Sequence, residues 1–144
     1  MTDAKRTEAQ LLDALESLSL VPGEFHHEDH LRAAWQLLRT VSFEDAVARF
    51  AAALRRLTEH FGAPEKYHET ITLFYLHLVN ARMQALPAQH EWRQFLEQNP
   101  DLFESHPALI GRYYSKPRLG SAAARRHFVL PDKMPHDFIV RAVQ

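Results

Sequence analysis

The sequence predicts an all-α protein, an up-down helical bundle of four main helices followed by shorter helices and an extended C-terminal tail. Leucine and phenylalanine recur at the three- and four-residue spacing of an amphipathic helix from Thr7 to about Ala85. Proline and glycine separate these stretches, and no stretch alternates apolar and polar residues as a strand does. The connections between the main helices are short, which is typical of antiparallel neighbours in a bundle.

The first helix is predicted from Thr7 to Leu20, with leucines at the spacing of one helix face, and Pro22 and Gly23 end it. The second helix is predicted from near Phe25 to about Arg39. Its apolar stripe consists of Leu31, Ala34, Leu38 and Val41.

Ser42 and Asp45 form an N-terminal capping signature for the third helix, and Gly62 ends it. Pro64 is a favourable first residue for the fourth helix, which is predicted to reach about Ala85. The third helix is predicted to bury Phe43, Val47, Phe50, Leu54, Leu57 and Phe61, and the fourth to bury Tyr67, Ile71, Phe74 and Leu78.

Shorter helices follow Pro87. One is predicted over residues 88–98, a second is capped at Ser105 with Pro107 at its first position, and a third begins at Ser121. The last fourteen residues are predicted to pack as an extended tail.

Length and composition predict a single domain over residues 1–144, because 46% hydrophobic and 24% charged residues are typical of a globular chain. The net charge of −1 offers no broad positive field, so we expect no nucleic-acid partner. Without cysteine, disulfides and thiolate metal sites are excluded.

The N-terminal residues are polar and acidic, unlike a signal peptide, and every apolar run is shorter than the ~20 residues that span a membrane. These features predict a cytoplasmic protein without a membrane partner. They predict no particular oligomeric state.

Histidines cluster at the starts of the second and fourth helices. In an up-down bundle these two helices run parallel, so their N-termini lie at the same end. His27 and His30 are three residues apart on the core-facing side of helix 2, and His68 lies in the first turns of helix 4. The sequence therefore predicts one metal site with His27, His30 and His68 as ligands.

Neutral imidazole suits a divalent transition metal such as Zn, Fe, Ni or Cu, and three protein ligands leave a position open for water or substrate. Glu69 or Asp29 is the candidate catalytic carboxylate, which would take a proton from metal-bound water. The resulting hypothesis is an enzyme acting on a small molecule. The positive potential of helix N-termini opposes a bound cation, which counts against the predicted metal site.

An alternative interpretation stays open. The stretch HHEDH, residues 26–30, is also typical of a solvated first helical turn, since acidic residues are favoured there. The protein would then be a non-enzymatic ligand-binding or accessory protein, with its histidines in a structural or ligand-pocket role. Among other candidates, His77 is expected to be a core histidine. Arg112, Tyr113, Tyr114 and Lys116 could bind an anion, although surface packing explains them more simply.

Two stretches resemble an uncharacterised family of small bacterial all-helical proteins that share F-x-H-x-D-H-x-R followed by Y-H-E-T. The later stretch YYS…SAAARRHFVLPD is also similar, so the resemblance spans most of the chain. It implies that the matching residues act together, including Asp29 and Arg32, but it implies no activity. The matching residues are Phe25, His27, Asp29, His30, Arg32, Tyr67, His68, Glu69 and Thr70.

Overall fold

The structure is a computed structural model that describes residues 6–104 and 108–133. This part of the chain is helical and contains no strand, which confirms the predicted all-α class. The helices are α1 (Glu8–Glu16), α2 (His27–Thr40), α3 (Phe43–His60), α4 (Glu69–Gln84), α5 (Trp92–Gln98), α6 (Lys116–Leu119) and α7 (Ala122–Arg126). Short 3-10 turns cover Pro64–Lys66, Pro100–Phe103 and Leu109–Arg112.

The chain divides into two compact units, unit 1 over Met1–Pro64 and unit 2 over Glu65–Gln144. The single domain and the up-down arrangement of four main helices therefore stay predictions. Along the described ranges, no helix combines the length and the apolar character needed to cross a membrane.

In unit 1, each of α1, α2 and α3 packs against the other two. Thr7 caps α1, because its hydroxyl accepts a hydrogen bond from the Gln10 N–H while the Gln10 side chain accepts one from the Thr7 N–H. Arg49 joins α3 to α1 through an ion pair of 2.7 Å with Glu16. Unit 1 is thus a three-helix arrangement with apolar faces turned inward.

The ends of α1 and α3 share one geometry. Gly62 has a φ of 74°, and the Ala63 N–H donates to the Thr58 carbonyl at 2.8 Å, which closes α3 where the sequence predicts its end. At α1, Leu18 takes the same left-handed role with a φ of 60°. The prediction that the first helix continues to Leu20 is therefore wrong. The sequence carries no signal for this earlier end, because a leucine seldom adopts the left-handed conformation.

Helix α4 is the main helix of unit 2. It begins at Glu69 and not at Pro64, because Pro64–Lys66 forms a separate 3-10 turn. The C-terminal helix α7 packs against α4, and α6 packs against α7. Arg82 near the end of α4 forms an ion pair of 2.8 Å with Asp101, which holds the chain after α5 close to it.

The predicted core residues Phe50, Leu54, Phe74 and Leu78 are all buried, which confirms the register of α3 and α4. Other predicted core residues are only half-buried, namely Phe43, Val47, Phe61, Tyr67 and Ile71. A helix follows at Ser121 as predicted, and the Ser121 hydroxyl caps it by accepting a hydrogen bond from the Ala124 N–H. Ser105, Pro107 and the tail after Lys133 lie outside the described residues.

Replacing Leu54 by Ala should lower the free energy of unfolding by about 2–5 kcal/mol, because the side chain is buried and its truncation leaves a cavity. Urea denaturation measures the loss. The control is Glu59→Ala, an exposed position on the same helix, which should change stability by less than about 0.5 kcal/mol. Equal effects for the two variants would contradict the assigned core face of α3.

Candidate functional site

The first candidate stretch begins α2. The helix starts at His27, and the His26 backbone N–H donates to the Asp29 carboxylate at 2.9 Å. Asp29 is the third residue of the helix, the position from which a carboxylate reaches back to the cap residue. The predicted catalytic carboxylate Asp29 thus holds a helix-capping hydrogen bond.

His30 lies one turn into α2 and is half-buried. Its ring lies 4.3 Å from the ring of Phe25, centroid to centroid, with 32° between their planes. Burial, together with the weaker influence of the neighbouring His27, lowers the pKa of His30 to about 4, against the opposing charge of Asp29. His30 is therefore neutral at pH 7, packed as an aromatic side chain.

Arg32 lies buried on the same helix. Its Nη2 donates to the Glu8 carboxylate and to the Arg6 carbonyl, each at 2.7 Å. A buried guanidinium needs such partners, because an unpaired charge away from water is costly. Arg32 therefore ties α2 to the start of α1.

The second candidate stretch begins α4, and His68 is its cap residue. Nδ1 accepts a hydrogen bond of 3.2 Å from the Ile71 N–H, so Nε2 carries the proton and donates to the Leu119 carbonyl at 2.8 Å. Burial lowers the pKa of His68, while its bond to Leu119 acts the other way and the charge of Arg125 lowers it further. Both ring nitrogens of this predicted metal ligand are bonded to the backbone.

Thr70 is fully buried two residues later. Its hydroxyl lies 2.7 Å from the Ala124 carbonyl oxygen and 2.8 Å from that of His127, and it accepts a bond of 3.2 Å from the Val129 N–H. The hydroxyl has one proton, which these two carbonyls share, and its oxygen accepts from the N–H, so one side chain of α4 contacts three backbone groups in α7 and just after it.

Glu69, the other predicted catalytic carboxylate, accepts a hydrogen bond from the Tyr67 hydroxyl. Both side chains are half-buried. His77 lies deeper in α4, is buried as expected, and has the Phe128 ring 5.7 Å from its own. Each residue of the Y-H-E-T stretch thus makes a defined contact within unit 2.

The predicted ligands are distributed over both units, with His27 and His30 in unit 1 and His68 in unit 2. Their convergence on one metal stays a prediction. Within either unit, residues 6–104 and 108–133 contain no group of three or more His, Asp or Glu side chains arranged to hold a metal ion.

The sequence interpretation missed the backbone partners of these side chains. Nothing in the sequence marked Leu119, Ala124, His127 or Val129, because any residue can supply a carbonyl or an N–H. The opposite charges of Arg32 and Glu8 on neighbouring helices are visible in the sequence. The sequence does not give the register of the two helices, so it does not predict that these two residues pair.

No protein-family model, curated protein or solved structure matches this chain.

Replacing Thr70 by Val should lower the free energy of unfolding by about 1–3 kcal/mol, because the Val129 N–H loses its acceptor and the carbonyls of Ala124 and His127 lose the one hydroxyl proton that they share, while the side-chain shape is kept. Thr58→Val is the matched control, since the Thr58 hydroxyl bonds only within its own helix. Amide hydrogen exchange should increase at residues 124–129 in the first variant alone. Unchanged exchange there would contradict the anchoring role.

The free energy of unfolding should fall as the pH decreases from about 6.5 towards 4. His30 and His68 have folded pKa values below the unfolded value, so the unfolded chain binds more protons in this range, and His30 alone accounts for on the order of 1–3 kcal/mol. Denaturation at a series of pH values measures the slope. It should be shallower in His30→Gln and unchanged in His60→Gln, an exposed position. Parallel profiles for all three proteins would contradict the assignment.

Proposed function

We propose that this protein is a non-enzymatic helical accessory protein whose histidine-rich stretches stabilise the fold. The observation that carries the proposal is the bonding of His68. Its Nδ1 accepts from the Ile71 N–H and its Nε2 donates to the Leu119 carbonyl, so a metal could bind only after one of these bonds is broken. Breaking either one would leave a polar group without its partner next to a buried side chain.

The two candidate catalytic carboxylates support the same proposal. Asp29 accepts the cap hydrogen bond of α2, and Glu69 accepts from the Tyr67 hydroxyl. A general base needs a lone pair directed at substrate or metal-bound water. For both carboxylates a contact inside the protein accounts for the residue without a reaction.

Arg32 and Thr70 extend this interpretation to the remaining polar residues of the two stretches. Arg32 joins α2 to the start of α1, and Thr70 joins α4 to the end of α7. Residues that act together, as the resemblance implies, can do so by fixing helices to one another. Location in the cytoplasm, the up-down arrangement and a small-molecule ligand remain part of the proposal as predictions.

A metal-dependent enzyme is the second candidate, and one observation favours it. His30 is neutral at pH 7, which is the form of imidazole that binds a metal, and His27 lies three residues away on the same helix. Two histidines at this spacing can contact one ion. A third ligand would have to come from His68 with the loss of a backbone bond, or from elsewhere.

Calorimetric titration of tag-free, metal-free protein with Zn, Ni, Cu and anaerobic Fe(II) separates the two candidates. The accessory protein should bind none of these ions more tightly than about 1 mM, since its best-placed imidazole is engaged by the backbone. The titration is done near pH 7.5, where free histidine side chains are neutral and competition from protons is small.

The controls are His30→Ala, His68→Ala and His106→Ala. Tight binding by the parent that is lost in the first two variants and kept in the third would overturn the proposal and support the metal site. Equally weak binding by all four proteins supports it.

A further inference from the structure

The C-terminal part of unit 2 has a local charge opposite to that of the whole chain. Residues 112–133, here called the basic segment, contain six of the 17 Lys and Arg residues and a single acidic residue, Asp132. The segment therefore carries a charge of +5, while the whole chain carries −1. The basic residues are Arg112, Lys116, Arg118, Arg125, Arg126 and Lys133.

Hydrogen bonds hold two stretches of the basic segment side by side. The Tyr113 carbonyl accepts from the N–H groups of Asp132 and Lys133, at 3.1 and 2.9 Å. The Tyr114 hydroxyl donates to the Val129 carbonyl, and Asp132 accepts from the N–H and hydroxyl of Ser115. The cations of residues 112–118 therefore lie next to Lys133 and not along an extended chain.

Backbone carbonyls hold three of these cations in position. Arg118 donates to the Leu130 carbonyl at 2.6 Å, Arg125 to the Glu65 carbonyl at 3.1 Å, and Lys133 to the Gly111 carbonyl at 2.9 Å. A carbonyl oxygen orients a side chain without removing its charge. Of the three cations, Arg118 also attracts the nearby Asp132 carboxylate and helps to lower the pKa of that group. Arg112 does face a carboxylate, that of Glu104 at 3.7 Å, in an exposed pair of little energetic weight.

The same segment exposes an apolar side chain. Leu130 is 47% exposed and is one of two large hydrophobic residues so exposed among residues 6–104 and 108–133, the other being Val21 in unit 1. Its backbone carbonyl accepts the hydrogen bond from Arg118, which holds the guanidinium at this residue. The segment thus combines an exposed apolar side chain with arginine, a residue type that is enriched at protein–protein interfaces.

These observations favour a protein over a nucleic acid as the partner. Single-stranded nucleic acids bind through aromatic rings that stack on the bases, and none of Tyr113, Tyr114 and Phe128 is exposed. The rest of the chain carries −6 and would repel a long phosphate backbone, whereas a short segment can stay within the basic region.

We infer that the basic segment is a docking surface for an acidic protein segment that carries one or two apolar side chains, with Leu130 as the apolar contact. The inference rests on the proposed accessory function and names its partner class. Fixed cations reduce the conformational entropy lost on binding, and complementary charge speeds the encounter.

The probe is a fluorescein-labelled peptide of about twelve residues, half of them Glu and two of them Leu, measured by fluorescence anisotropy with the full chain. Lys116→Glu/Arg126→Glu reverses two exposed cations of the segment and should weaken binding by at least about ten-fold. The matched control Arg55→Glu/Arg93→Glu makes the same charge change at exposed positions outside the segment and should alter binding by less than about two-fold. Leu130→Ser should weaken binding by several-fold.

Equal weakening by both double variants would reduce the effect to net charge and overturn the inference. So would tighter binding of a labelled RNA of the same charge, or full displacement of the peptide by inorganic phosphate at about 10 mM. Self-association of the chain through the same residues, measured by sedimentation, would show that the partner is a second copy of this chain and would also overturn the inference. The two proposals are tested separately. Tight metal binding in the calorimetric titration would overturn the accessory function, whereas it would leave the measured affinity for the peptide unchanged.

Discussion

The buried polar side chains in the first turn of α4 need hydrogen-bond partners, and the C-terminal part of unit 2 supplies them. These hydrogen bonds hold that part of the chain against α4. Thr70 is fully buried, so its hydroxyl needs partners within the protein. Carbonyls and an N–H from residues 124–129 meet that hydroxyl, and the Leu119 carbonyl meets His68. Because α6 and α7 have four and five residues, they are too short to be stable alone. The packing of α7 on α4, and of α6 on α7, provides the stability that helices of this length lack.

In unit 1 the buried polar group that needs partners is a charged side chain. Arg32 is buried, and its guanidinium finds the Glu8 carboxylate and the Arg6 carbonyl. A buried ion pair adds little net stability compared with apolar packing, but removing one partner is costly. Such a pair therefore disfavours other registers of α2 against α1 more than it raises the stability of the correct one. Arg32 and Thr70 thus have the same role in different units, each fixing a helix through a buried polar contact.

Helical periodicity was enough to predict the all-α class, the buried residues Phe50, Leu54, Phe74 and Leu78, and the ends of α3 at Ser42 and Gly62. These features follow from local spacing and from residues with a strong backbone preference. The early end of α1 at Leu18 was not predictable, since leucine has no preference for a left-handed conformation. The contact of His68 with Leu119 and that of Thr70 with Ala124 were not predictable either, because the partners are backbone carbonyls more than fifty positions away.

The charge of the chain illustrates a different limit of sequence averages. A net charge of −1 led to the expectation that no strongly basic surface exists, yet six cations lie within residues 112–133. Electrostatic attraction is screened over about 8 Å in physiological salt, so a partner responds to the nearest charges and not to the sum over the molecule. The folded chain increases this local effect, because Tyr113 brings Lys133 beside the cations of residues 112–118. The relevant quantity is therefore the local charge, which is +5 over residues 112–133 although the whole chain carries −1.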